Sequence, residues 1–249
     1  MNNIFDKIFI LSYLDSDRIN SNIEQLKKHN ITNYEYVYGI NYKDIDINNY
    51  IKYKKCTQSL VDELIKGGDI FVKRRLASYQ TFLKIMNKTL ERNYKKILVL
   101  EDDFFFCDNI NVIVEQLFKN LPLDWDLIRL GWETNISRKN QNSNKLEFIR
   151  EIPDAGAMAC VYNINAVKQI LKLGQIQAQA IDGFNNFLCD SFNVLNHPKH
   201  KLKYSHLDKI KIKKNLICYR SSKLLISGAS QNNELTKKLF KATADKDFY

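Results

Sequence analysis

The chain has 249 residues, 45% apolar and 27% charged, with a net charge of +10. That balance supplies a full core and excludes wholesale disorder, and only 8 Gly and 3 Pro argue against a loop-rich or repetitive architecture. No apolar run reaches the ~18 residues of a membrane-spanning helix, so a single globular domain over residues 1–249 is expected.

The opening "KIFILSYLDSDR" is continuously apolar from Ile8 to Leu11, which predicts a short, fully buried strand followed by a polar loop. A helix over "RINSNIEQLKKHN" follows, with Ile19, Ile23 and Leu26 at helical spacing, and then a second strand in "YEYVYGI". Strand, helix and strand in quick succession predict an α/β fold with a mostly parallel central sheet flanked by helices. Residues 43–70 are polar and irregular, ending at Gly67 and Gly68. Beyond them Leu76, Tyr79, Leu83, Met86 and Leu90 share one face of an amphipathic helix that leads into a strand from Ile97 to Leu100.

Three carboxylates, Glu101, Asp102 and Asp103, follow that strand in "KKILVLEDDFFF", set between two apolar runs. Carboxylates there are costly unless something cationic meets them. The carboxyl ends of strands are also where ligands collect in open parallel sheets. Alternation along an extended segment would put Glu101 and Asp103 on one side and Asp102 on the other. Two hard oxygen ligands one pleat apart suit Mg²⁺ or Mn²⁺, which complete their shell with water and substrate phosphates. The other readings of the triplet are a cap for the helix near Ile110 and pairing with Arg74 or Arg75.

The rest of the chain predicts a helix over 110–121, a strand in "DWDLIRLGW", a polar loop over 133–147 of the length that serves as a lid or stays disordered, and a strand in "GAMACVYN". A helix from Ile164 to Leu173, a shorter one near Gly183–Cys189, a short strand at Leu216–Tyr219 and a polar tail complete it. Between Lys199 and Lys223 nine Lys or Arg stand against one acid, Asp208. Such a stretch favours anionic partners, a nucleotide diphosphate or an acidic membrane surface, or is simply a solvated face. Nucleic acid is disfavoured, because no RNA-binding motif interleaves aromatics with these cations.

Five scattered cysteines without a CxxC pair predict buried free thiols and a reducing compartment. "MNNIFDKIFIL" is unlike a signal peptide, which predicts a cytoplasmic protein, in peripheral contact with membrane at most. The Asn-x-Ser/Thr sites at Asn30, Asn87 and Asn135 are then not glycan acceptors.

Taken in order, "IFILSYLDSDR", "LASYQTFLKIM", "KKILVLEDDFFF", "WDLIRLG", "GAMACVYNINAVKQIL" and "IDGFNNFL" resemble glycosyltransferase family 25 over roughly residues 7–190. The resemblance implies a GT-A type, Rossmann-like fold, with about 1–130 as the nucleotide-sugar-binding half and about 131–249 as the acceptor half. It also implies a UDP-sugar donor, a divalent metal (Mn²⁺ or Mg²⁺) and inverting transfer of a hexose, galactose or glucose, to a glycan, lipid-linked sugar or protein acceptor. By the same resemblance Asp103 is the metal-binding acid, with Glu101 and Asp102 as companions at the metal and donor. Arg18 is expected near the nucleotide, and Ser12 and Tyr13 stand at the donor side where many members have Asn-Leu.

Inverting transfer needs a carboxylate away from the metal to take the acceptor proton. Asp182 and Asp154 are the candidates, against a helix cap and a loop acid respectively. His197 or His206 would fit by position as a further metal ligand, and Tyr13, Tyr79 and Trp132 as stacking partners. The competing functions are a basic nucleic-acid-binding protein and a glycosyltransferase-like binder without turnover.

Overall fold

The computed structural model describes residues 1–13, 16–47, 49, 69–131, 145–151, 158–174, 181–190 and 215–228. In chain order these form β1 (Lys7–Ser12), α1 (Ile19–Lys28), β2 (Tyr34–Tyr38), a 3-10 turn (Tyr42–Asp44), α2 (Asp69–Glu91), β3 (Lys96–Glu101), β4 (Phe104–Phe106), α3 (Ile110–Lys119), β5 (Leu127–Gly131), β6 (Phe148–Glu151), β7 (Ala159–Asn163), α4 (Ile164–Gly174), α5 (Ile181–Cys189), β8 (Cys218–Ser221) and β9 (Ile226–Gly228).

Seven strands make one sheet in the order β2-β1-β3-β7-β5-β8-β6, and β4 pairs with β9 in a separate two-stranded sheet. β1 lies parallel to both β2 and β3, and β5 parallel to β8, while β7 runs against β3 and β5, and β6 against β8. Five of the seven strands therefore point one way, so the sheet is mostly parallel by direction with a reversed strand at its centre. β7 and β8, late in the chain, complete the same sheet as β1 and β3.

Both faces of this sheet are covered, which is why its central strands read as unbroken apolar runs. Phe9, Leu11, Ile97, Val99 and Tyr162 face one way and pack with α2, α4 and α5. Ile8, Ile10, Leu98, Leu100 and Val161 face the other and pack with α1 and α3. Successive residues of one strand thus serve opposite layers, as the two-residue repeat requires. No described helix is long and apolar enough to cross a membrane.

One cluster of buried charges is paired across strands. Arg129 of β5 and Arg220 of β8, only 2% and 3% exposed in their side chains, share the carboxylate of Glu151 on β6, each at 3.0 Å. The basic stretch read from the sequence is therefore not uniformly a solvated face, because Arg220 is committed to the interior. Cys107, Cys160, Cys189 and Cys218 are free and buried, as expected; Cys56 lies outside the described residues. Burial pushes the Cys107 and Cys160 thiols up to about 12, so neither offers a thiolate near neutrality.

His29 closes α1 and sits edge-on to Phe106, with ring centroids 5.6 Å apart. Burial, and then the Lys28 charge, hold its imidazole below the usual histidine range, with Asp108 opposing them. The unfolded chain therefore takes up this proton near pH 6.5 while the folded chain stays neutral, so stability falls as pH drops below about 6.5. His29→Phe keeps an aromatic ring and cannot titrate. Its melting temperature is expected to fall less between pH 7 and pH 5 than that of the wild type, and equal slopes would remove His29 from the acid response.

Candidate functional site

β1 continues to β2 on one side, and β3 enters the sheet on the other, so the chain order reverses between β1 and β3. Their carboxyl ends lie together, because the parallel register aligns Leu11 with Glu101. In open α/β sheets this crevice is the expected place for a ligand.

The strand stops at Glu101, and Asp102 and Asp103 form a turn into β4. The extended geometry behind the expected alternation ends at Glu101, yet the two aspartates do face different parts of the molecule, as that expectation had it. Asp102 is buried and faces the segment after β1. Its Oδ2 accepts from the hydroxyls of Ser12 (2.8 Å) and Ser16 (2.9 Å), and its Oδ1 from Arg18 Nη1 at 3.1 Å. Asn22 on α1 donates to its backbone carbonyl at 2.9 Å. Asp103 faces β9, where a Cβ on Gly228 would stand 3.2 Å from its Oδ2 and 2.7 Å from Met158 Sδ. Glu101 donates its backbone N–H to the Met158 carbonyl at 3.0 Å, which ties the acidic turn to the start of β7.

Above the turn opens a cleft of about 670 Å³, within the range of small-molecule and cofactor sites. Arg18, Lys43 and Arg74 bring three cations to it, Tyr13 and Tyr42 bring two rings, and Asp102 lies at its base. Arg74 sits 5.0 Å over the Tyr42 ring, so cation and aromatic face hold each other in place. Burial raises the Tyr13 hydroxyl above its ordinary value, Asp102 raises it further, Arg74 opposes and Glu101 adds a smaller push. Tyr13 thus remains a neutral ring with a hydrogen-bonding tip. Ser16, Asn22, Tyr42 and Lys43 were not singled out by the sequence. Nothing local marked them: Asn22 shows its role only once the structure buries it inside α1.

Of the residues predicted from sequence, Ser12, Tyr13, Arg18, Glu101, Asp102 and Asp103 come together at the ends of β1 and β3. Tyr79 does not, being buried in the core against Phe82 and Phe184. Asp182 is the second residue of α5, so the helix begins ahead of it, and its side chain is not among those described. Asp154, Trp132, His197 and His206 lie outside the described residues.

Among the described residues no three His, Cys, Asp or Glu side chains converge as a closed metal cage. A hard divalent cation that keeps several waters needs only one or two carboxylates plus substrate phosphates. The donor set of Asp103 with Glu101 is chemically suited to that role, and Gly228 packs so closely on the Asp103 carboxylate that any larger residue there would crowd it.

No family model and no curated protein matches this chain. Among solved structures, a glycosyltransferase involved in the glycosylation of the major capsid of PBCV-1 overlaps 96% of this chain and 98% of its own, at 8% identity and a TM-score of 0.36. A likeness that slight carries no argument about function.

Proposed function

We propose that this chain is a glycosyltransferase whose nucleotide-sugar donor binds in the cleft at the ends of β1 and β3. The observation that carries this reading is the lining of that cleft: Arg18, Lys43 and Arg74 together with Tyr13 and Tyr42, immediately above an acidic turn. A nucleoside diphosphate offers a flat base and two anionic phosphates, which match rings and cations. Simple anion binding would not require the rings, and binding of an apolar ligand would not require three cations.

The finer assignments belong to the same proposal: a GT-A type fold, a UDP-hexose donor, inversion, and a glycan, lipid-linked sugar or protein acceptor. Asp103 and Glu101 would hold Mn²⁺ or Mg²⁺, which when bound supplies charge neutralisation at a diphosphate leaving group. Arg18, Lys43 and Arg74 contribute to the same end from the protein, as fixed positive groups near the developing charge. Tyr13 and Tyr42 orient the base. In the transfer itself the acceptor hydroxyl oxygen bonds to the anomeric carbon as the carbon–diphosphate bond breaks, and the hydroxyl proton passes to a carboxylate. Asp182 is the residue assigned to receive it, with Asp154 as the alternative.

Calorimetric titration of UDP with Mn²⁺, with and without chelator, tests this reading. Micromolar binding is expected, tightened about tenfold by Mn²⁺ and losing that increment in Asp103→Ala, a difference of about 1.4 kcal/mol. Turnover is then sought with UDP-galactose and UDP-glucose. Absence of UDP binding under every condition would sink the donor assignment.

A further inference from the structure

The acidic turn contains one carboxylate whose hydrogen bonds are already taken. Three side chains from the end of β1 and the segment that leads to α1 converge on Asp102: Ser12 and Ser16 on Oδ2, and Arg18 on Oδ1. A carboxylate offers about four acceptor sites, so these three donors nearly saturate it. A cation bound directly there would have to displace them. The Ser12 hydroxyl, fully buried, would be left with only a 3.3 Å contact to the neighbouring Tyr13 carbonyl. Losing a partner inside the protein is costly for a buried hydroxyl.

The same bonds fix what the segment presents to the cleft. Tyr13 lies between Ser12 and Ser16, and the Ser16 N–H donates to the Tyr13 carbonyl at 3.1 Å, so anchoring both serines sets the backbone that carries the ring. Arg18 is 51% exposed in its side chain while paired with Asp102. A guanidinium has five N–H donors in a planar fork, so one edge can hold Asp102 while another meets a phosphate. Asn22, anchored on the Asp102 carbonyl, ties the first turns of α1 to the same point.

We propose, resting on the donor reading above, that Asp102 is a positioning residue and not a metal ligand. It latches Ser12, Ser16 and Arg18 to the end of β3, so that the nucleotide half of the cleft is assembled without a cation. The two aspartates of the turn then divide the work: Asp102 shapes the nucleotide site, and Asp103 is the group on which metal affinity depends. Nucleoside diphosphate binding is consequently metal-independent in its main part.

The test is UDP titration into the intact chain in chelator and again with Mn²⁺. In chelator the wild type is expected to bind. Asp102→Asn and Arg18→Ala are each expected to weaken that binding about tenfold, the loss of a charge-assisted hydrogen bond. The double variant is expected to be weaker than either single one but by less than the product of the two effects, because both lose the Asp102–Arg18 pair. Asp103→Ala keeps the affinity measured in chelator and loses only the gain from Mn²⁺. If Asp102→Asn does not fold, Ser16→Ala replaces it, with a smaller expected weakening of about threefold.

The latch is overturned if Asp102→Asn, or Ser16→Ala in its place, binds in chelator like the wild type. It is overturned equally if the Asp102 and Arg18 effects simply add, or if the wild type binds UDP only when Mn²⁺ is present. A wild type that binds UDP under neither condition overturns the donor reading itself, and the latch with it, an outcome distinct from the other three.

Discussion

Replacing Glu151 with Ala is expected to lower folding stability by about 3–5 kcal/mol, the usual cost of removing one partner from a buried ion pair. Glu151 joins two guanidiniums, Arg129 from β5 and Arg220 from β8, that are almost wholly removed from water. Desolvating an ion costs several kcal/mol, and the attraction of a well-placed counter-charge offsets this. Without the carboxylate the desolvation remains and that attraction is gone. Such a loss is a large part of the 5–15 kcal/mol that typically holds a domain folded. Replacing all three groups by apolar ones, Arg129→Met, Glu151→Leu and Arg220→Met, is expected to restore most of the stability, since the triple variant buries no charge at this point. Urea unfolding of the single and triple variants decides the matter: a loss under about 1 kcal/mol for Glu151→Ala would mean that this cluster behaves as a surface pair.

The consequence reaches the candidate site through β9. The Leu225 N–H donates to the Leu130 carbonyl at 3.1 Å, and Gly131 lies so close to the Ile226 carbonyl that a Cβ there would stand 2.5 Å from it. The end of β5 is thus the surface on which β9 rests, and β9 in turn borders Asp103. A change that loosens β5, β6 and β8 therefore acts on the acidic turn without touching it.

The strands and helices that frame the cleft were legible from periodicity because their environment is uniform along their length. Ile8–Leu11 and Ile97–Leu100 are covered on both faces, so each reads as an unbroken apolar run, and α2 buries Leu76, Tyr79, Leu83 and Met86 at helical spacing, although Leu90, expected on the same face, is exposed at the helix end. β4 and β9 have three residues each and β6 has four, too few for a period to show. The reversed direction of β7 was hidden for a different reason: a strand buried on both sides has the same composition whichever way it runs.

The location of the acids at a strand end and the divergence of Asp102 from Asp103 could be seen in the sequence, but what each one meets could not, because that depends on the turn that follows Glu101. The partners of Asp102 come from positions 84, 86 and 90 residues away, and Glu151 meets Arg220 only because β6 and β8 are neighbours at the sheet edge. Pairings of this kind are properties of the topology and leave no local mark.

Gly228→Val is expected to abolish the Mn²⁺-dependent part of UDP binding and to reduce transfer at least about 100-fold, the scale at which misplacing a catalytic group acts. A Cβ at 228 meets two groups of different character: the Met158 sulfur at 2.7 Å and the Asp103 carboxylate at 3.2 Å. Methionine is flexible and can move aside at small cost. The carboxylate has less freedom, because it belongs to a turn held between β3 and β4 and backed by the Glu101 to Met158 backbone bond. Relief of the two contacts can therefore be separated. Adding Met158→Ala to Gly228→Val is expected to recover most of the lost thermal stability by removing the closer clash, yet to leave the Mn²⁺ increment absent, since the valine still crowds Asp103. UDP affinity in chelator is expected to stay near the wild-type value in both variants, because Tyr13, Arg18, Lys43 and Arg74 are untouched. A Gly228→Val protein that keeps its Mn²⁺ response would move the cation away from Asp103. Loss of chelator affinity together with the Mn²⁺ response would instead show that β9 and the nucleotide cleft form one unit.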